Sequence, residues 1–354
     1  MRGAGFGIGQ PGRQMPNPVP LAYLWPTSGL PLAQAAGLHF RADRPLADDH
    51  ALPDNHPHTA RVLTLETLRL VYHTAKVRLG FLIMACAMAG LAVSPPGSPG
   101  GDLSGWQVLV LGCATLLSSA AAGAFNQLWE RDLDRDMQRT RERPFVTGRF
   151  AATGAWHVGI VLVLLFSVVA ASLATNVTAG IYIFLGAFTY GVVYTVWLKR
   201  RTWLNIVIGG LAGSFAVMAG AAAVGAELEP APLILAVVLF LWTPPHFWAL
   251  AFACKKDYAA AGVPMLPVVV GDSLSTRTIL AHAIALVLLS VVPFWYGMSW
   301  IYLSCAVLGG GYFLLASWRL VLQPTVPQAW RTFAASIVQL GLLLTGAIFD
   351  NLLL

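Results

Sequence analysis

From Val77 onward, long apolar runs alternate with short polar stretches, and that alternation predicts nine membrane-spanning helices. Each run is close to the ~20 residues needed to cross ~30 Å of hydrocarbon at about 1.5 Å per residue. The expected spans are 77–94, 106–125, 152–173, 178–198, 204–224, 231–252, 276–296, 299–318 and 332–350. The first is short and is cut off by the turn-forming run SPPGSPGG. Before it, Val62–Lys76 alternates apolar and polar positions and reads as a short helix lying along the interface. Residues 1–60 are rich in Pro and Gly, hold no acidic residue before Asp43 and show no helical period. They read as a disordered cytoplasmic tail, with an upstream-misplaced start or a mitochondrial presequence as alternatives. The expected organisation is therefore a tail over 1–60 and one all-α, polytopic transmembrane bundle over 61–354.

Composition agrees with the pattern. The chain is 57% hydrophobic and only 11% charged, with a mean hydropathy of +0.67. No charge falls in the interior of a long apolar run, as the cost of about 2.5–3.5 kcal/mol per charge at a bilayer centre requires. With the N-terminus in the cytoplasm, all 22 Lys and Arg residues fall on the inside, while Asp102, Glu227, Glu229 and Asp350 are left outside. That arrangement follows the positive-inside rule and places the C-terminus outside. The net charge of +6 is too modest to imply a nucleic-acid partner. Cys86, Cys113, Cys254 and Cys305 are scattered without metal spacing and read as packing residues.

The polar stretch Asn126–Arg149, NQLWERDLDRDMQRTRERPFVTGR, stands out against this background. It packs five acids and six arginines into 24 positions. Asn126, Glu130 and Asp134 recur at i, i+4 and i+8, so they share one helical stripe, with Asp132 and Asp136 on the opposite side. Two carboxylates and an amide on one stripe are hard oxygen ligands, suited to Mg²⁺ holding a substrate phosphate. Arg139 and Arg143, again four apart, can fork onto phosphate oxygens. A solvated, salt-bridged helix end would account for the arginines but not the acids, because Asp and Glu contribute little to orientation.

Two further inside stretches carry candidate chemistry. Lys199–Arg201 reads equally as a topology anchor or a phosphate clamp, and the glycines Gly209, Gly210, Gly213 and Gly220 beyond it suit close helix packing. In TPPHFWALAFACKKDYAAAGVPMLPVVVGD, Pro244 and Pro245 are expected to break or kink the sixth span, and His246 follows at once. A histidine there is either an interfacial hydrogen-bonding residue or a ligand. Asp257, with Lys255 and Lys256, either completes a metal and phosphate site opposite the first stripe or is an ordinary loop charge.

These blocks resemble the protoheme IX farnesyltransferases (heme O synthases), a branch of the UbiA-type intramembrane prenyltransferases. Asn126-x3-Glu130-x3-Asp134 is similar to the family's first Asp-rich prenyl-diphosphate motif, and Arg139, Thr140, Arg143 and Pro144 match its RTxxRP continuation. The segment PHFWAL at Pro245–Leu250, followed by the run to Pro267, resembles the heme branch rather than quinone or chlorophyll relatives, which carry a second Asp-rich motif there. The likeness spans roughly residues 72–350. It departs at Lys76-Val77-Arg78, where the family usually has Lys-Pro-Arg, and at Ala216-Val217, where it has a Pro pair.

The resemblance implies farnesyl transfer from farnesyl diphosphate to a vinyl group of heme b with addition of water, giving heme O for a terminal oxidase. It implies catalytic roles for Asn126, Glu130, Asp134 and His246. Mg²⁺ would sit on Asn126, Glu130 and Asp134, joined by Asp257, and the diphosphate on Arg139, Arg143, Lys199 and Lys256. His246 would position heme or assist the water step. The implied setting is a bacterial inner membrane, or alternatively the mitochondrial inner membrane, with heme A synthase or oxidase-assembly proteins as neighbours. A prenyltransferase acting on a quinone-type acceptor and a small-molecule or heme transporter are the competing readings. A transporter would place ionisable groups or broken helices at mid-membrane, whereas here the charges line one face.

Overall fold

The computed structural model describes residues 57–353, with side chains placed from Leu65 onward apart from Leu352. The expected tail lies, up to residue 56, outside the described residues. All regular structure in the described residues is helical. Eight helices are long and apolar enough to cross a membrane, and a bent pair, Leu65–Thr74 with Val77–Ala92 at 51°, brings the number to nine if it counts as one span. The protein is thus an integral, multi-pass membrane protein.

In chain order, α1 (Pro57–Thr74) meets α2 (Val77–Ala92) at a break where Lys76 takes a left-handed backbone conformation, φ 49°. Next come α3 (Gly105–Trp129), the short α4 (Arg131–Asp136), α5 (Gly154–Ala174) and α6 (Val177–Phe188). The sixth helix does not end at Phe188 but rewinds into a π-helix, Thr189–Leu198. After α7 (Asn205–Gly209) and α8 (Leu211–Ala222), the second half comprises α9 (Pro230–Ala253), α10 (Lys255–Ala260), α11 (Leu266–Val270), α12 (Asp272–Ser290), α13 (Trp300–Leu322) and α14 (Val326–Leu353).

The helices form two adjoining rings. α2, α3, α5, α6 and α8 pack in sequence around the first, and α9, α12, α13 and α14 around the second. α2 and α8 join them by packing on α14 and α9. The seam between α2 and α8 depends on two glycines. A Cβ on Gly220 would lie 1.8 Å from the carbonyl oxygen of Ala87, and one on Gly90 would lie 2.0 Å from that of Val217. Small residues let helix backbones touch where lipid offers no hydrophobic drive for association. Outward faces, such as Leu162, Phe166 and Leu173 of α5, remain exposed to hydrocarbon, and Trp106, Trp197, Trp300 and Trp318 are exposed near helix ends.

Pro244 and Pro245 do not break the sixth span: α9 continues through both to Ala253. Thr243 supplies a local hydrogen bond to the carbonyl of Leu239 (3.1 Å), and α8 packs alongside. Neighbouring helices and Ser/Thr side chains of this kind make proline tolerable within a membrane helix.

Candidate active site

The polar stretches 126–149, 199–204 and 254–271 gather at one end of the bundle. Their centre is the junction of α3 and α4. The helix is interrupted at Glu130, which takes φ −90° and ψ 11°, so the stripe does not ride on one continuous helix. The i→i−4 register nevertheless survives, because Glu130 N–H donates to the Asn126 carbonyl and Asp134 N–H to that of Glu130. The three stripe residues therefore all point inward. Asn126, Glu130 and Asp134 are each no more than 2% exposed, while Asp132 and Asp136 face solvent.

Each of the three meets a cation from a different part of the chain. Lys76 donates to the Asn126 Oδ1 at 2.5 Å and to the Tyr190 hydroxyl at 2.9 Å. Lys199 binds Glu130 Oε2 at 2.5 Å, and Arg143 binds Asp134 Oδ2 at 2.6 Å. Asn126 Nδ2 donates to Thr195 Oγ1 at 2.9 Å, which fixes the amide so that its oxygen faces Lys76. Breaking a buried pair by removing one partner costs about 3–5 kcal/mol, so these contacts specify the pocket even though forming them gains little over apolar packing.

The π-helix supplies the opposite wall. Its wider winding stacks Tyr190 on Tyr194, with ring centroids 5.8 Å apart, and places them under Lys76 and Lys199 respectively. Gly209 of α7 makes room, since a Cβ there would lie 2.9 Å from the Tyr194 ring. Local π-winding is frequent at functional sites. Periodicity and spacing do not single out Lys76, Tyr190, Tyr194 or Thr195 as site residues. A lone lysine at the mouth of the first span was the available signal for Lys76; a π-turn leaves none.

Arg139 lies half-buried beside Cys254 and Tyr258. Burial works against its charge, but the surrounding phenol, thiol and Asp134 carboxylate outweigh that and hold its pKa above the usual arginine value. Thr140 is buried and donates to the Asp134 carbonyl (3.2 Å), tying the RTxxRP turn to the stripe. Asp132 forms a bidentate, solvent-facing pair with Arg200 at 2.7–2.8 Å.

The structure leaves two candidates apart from this cluster. Lys256 is exposed on α10 and forms no ion pair among the described residues, whereas its neighbour Lys255 pairs with Asp272 at 2.7 Å. Asp257 does not join Glu130 and Asp134: no three carboxylate, imidazole or thiol side chains come together as a metal cluster among the described residues. α10 buries Tyr258 against Leu133, Met137 and Ile206, while the adjacent Asp257 is half-buried near Cys254.

A divalent cation fits what remains. Glu130 Oε1 is buried and without any hydrogen-bond partner, an unsatisfied anionic oxygen. One or two carboxylates plus substrate phosphates is the usual Mg²⁺ arrangement, in preference to an all-protein cage.

His246 occupies a different place. Buried between α9 and α14, its ring is stacked between Trp242 (centroids 4.2 Å) and Phe333 (4.5 Å), and its Nδ1 lies 2.7 Å from Ser336 Oγ. It makes no hydrogen bond to the acids or the arginines among the described residues, so the structure does not bring it together with the stripe.

A helical membrane protein of eight or nine spans, with buried acids each matched to a cation at one end of the bundle, is the class that fold and site define. A family model described as the UbiA prenyltransferase family matches residues 83–342, and the chain belongs to that family. A protein named protoheme IX farnesyltransferase 2 from Paramagnetospirillum magneticum is 52% identical over 286 residues, covering 81% of this chain and 98% of that one. Among solved structures, one described as digeranylgeranylglyceryl phosphate synthase has a TM-score of 0.66 at 18% identity, covering 82% of this chain and 100% of that chain. A UbiA homologue from Archaeoglobus fulgidus bound to DMAPP and Mg²⁺ has a TM-score of 0.60 at 17% identity, covering 81% and 99%. These two likenesses show the common fold.

Proposed function

We infer that this protein transfers a farnesyl group from farnesyl diphosphate to a vinyl group of protoheme IX (heme b), with addition of water, giving heme O. The observation that carries the reading is the 52% identity, running nearly end to end, with a relative of that name. The pocket chemistry is consistent with it.

Asn126, Glu130 and Asp134 would hold Mg²⁺. When bound, the metal acts as a Lewis acid that neutralises the leaving diphosphate. The chain's own cations do the rest. Lys199 and Arg143 rest on carboxylates in the structure, and an arriving diphosphate offers them a stronger partner. As they turn to it, Glu130 and Asp134 are freed for the metal. With Arg139, they then stabilise the charge that develops as the farnesyl C–O bond breaks. Lys256 and Asp257 stand outside the ion pairs of this set among the described residues. The stacked Tyr190–Tyr194 wall and the surrounding hydrocarbon keep water from the allylic cation until it bonds to the vinyl carbon. Water then adds to the adjacent carbon, with loss of a proton. His246, in its aromatic slot, positions heme or assists that step.

The charged end lies in the cytoplasm on this account, with the N-terminus inside, the C-terminus outside and a bacterial inner membrane as the setting. Heme A synthase or terminal-oxidase assembly proteins are the neighbours that would take up the product. The test is to supply membranes containing the protein with heme b, farnesyl diphosphate and Mg²⁺, and to resolve the pigments by chromatography and mass. A heme O product that disappears with EDTA is expected. Well-inserted protein that ignores heme b but prenylates a quinone precursor would overturn the reading.

A further inference from the structure

The hydrogen-bond network around His246 fixes which of its nitrogens carries the proton. Ser336 Oγ lies 2.6 Å from the carbonyl oxygen of Phe333, one turn back on α14. Two oxygens at that distance need a proton between them, and the carbonyl has none, so the serine hydroxyl is committed as donor to Phe333. The contact of Ser336 Oγ with His246 Nδ1, at 2.7 Å, then needs its proton from the imidazole. A neutral His246 therefore carries hydrogen on Nδ1 and leaves Nε2 as a bare, basic lone pair, which makes no hydrogen bond among the described residues. The ring cannot easily turn to exchange its nitrogens, because Trp242 and Phe333 stack on both faces. Trp242 is itself held by a hydrogen bond from its indole N–H to the Ser336 carbonyl (2.9 Å).

We propose that Ser336 is a positioning residue that selects the Nδ1–H tautomer of His246 and presents Nε2 to the heme acceptor. This deepens the proposed function and rests on it for the identity of the acceptor. A basic sp² nitrogen at a fixed angle can ligate the heme iron, or can accept a proton from the water that adds to the vinyl group. Either use fails if the proton sits on Nε2. One serine on the last helix thereby couples α14 to the acceptor chemistry while leaving the diphosphate end untouched.

The test compares Ser336→Ala with Ser336→Thr, which keeps the hydroxyl. In protein labelled with ¹⁵N-histidine, the His246 signal is assigned by its loss in His246→Asn. The expected wild-type pattern is a protonated Nδ1 and a bare Nε2. Ser336→Ala should lose that pattern, raise KM for heme b about tenfold, as expected for one lost hydrogen bond, and leave KM for farnesyl diphosphate unchanged. Ser336→Thr should restore both. An unchanged ¹⁵N pattern in Ser336→Ala overturns the proposal, as does an equal decline in every kinetic constant, which would mark a structural role. If the pattern shifts as expected but no heme O forms with any variant or with wild type, the tautomer assignment stands and the proposed function is overturned.

Discussion

The two polar blocks at the charged end look alike in the sequence and behave differently in the fold. In the first, around Asn126–Arg149, the inward-facing acids are buried and each is met by a cation, Glu130 by the distant Lys199 and Asp134 by Arg143 of the same block. In the second, 254–271, the ionic residues Lys256 and Asp257 stay out of any such cluster. What that block buries is Tyr258, Val263 and Met265, packed against Leu133, Met137 and Ile206. The first block thus holds the charges and the second is the apolar floor that fixes their position. Charge density alone does not distinguish the two blocks; burial and pairing of the charges do.

Substitution of charges should break this comparison most visibly. Glu130→Gln or Asp134→Asn is expected to lower prenyl transfer about 10²–10³-fold or more, measured as heme O formed per inserted protein, whereas Asp257→Asn should stay within a few-fold of wild type. Equal losses at all three positions would place Asp257 in the site after all. Next in size is the floor. Tyr258→Ala should destabilise by about 3–5 kcal/mol through lost packing, read as a lower unfolding midpoint in detergent, while Tyr258→Phe keeps both the stability and the activity.

A smaller effect is expected at the rim. Asp132 is held below the ordinary carboxylate range, chiefly by its hydrogen bonds to Arg200. A carboxyl group whose pKa is depressed on folding adds stability above its unfolded pKa and loses it as pH falls through the folded value. Because the pair faces solvent, Asp132→Asn should cost no more than about 1 kcal/mol at pH 7. The difference between variant and wild type should vanish in acid below the usual carboxylate range. A large cost at neutral pH would mean the rim pair belongs to the buried cluster.

Much of the architecture was legible in the sequence, because a bilayer imposes length and polarity on every span. The nine apolar runs correspond to the observed helices, and the i, i+4, i+8 stripe points inward even though the helix breaks at Glu130. Register survives such a break, so periodicity still reported the shared face. What the sequence did not show depends on pairing across the fold. Lys76 looked like the edge of a span, and Tyr190 like one more aromatic in an apolar run, until the π-helix and the break at Lys76 brought them to Asn126. The paired prolines in α9 misled for a related reason: their cost is set by neighbouring helices, which local propensity does not contain. Ser336 lies 90 residues from His246, with nothing local to single it out.

The central claim is that Asn126, Glu130 and Asp134, with the cations resting on them, form a metal–diphosphate site in which Lys199 and Arg143 exchange carboxylate for phosphate. It is tested most directly by calorimetric titration of the purified protein with pyrophosphate and Mg²⁺, separately and together. The account expects weak binding of either alone, binding at least about tenfold tighter of the two together (~1.4 kcal/mol of coupling), and loss of that coupling in Glu130→Gln. Mg²⁺ that binds tightly without pyrophosphate, or coupling that survives Glu130→Gln, would contradict it.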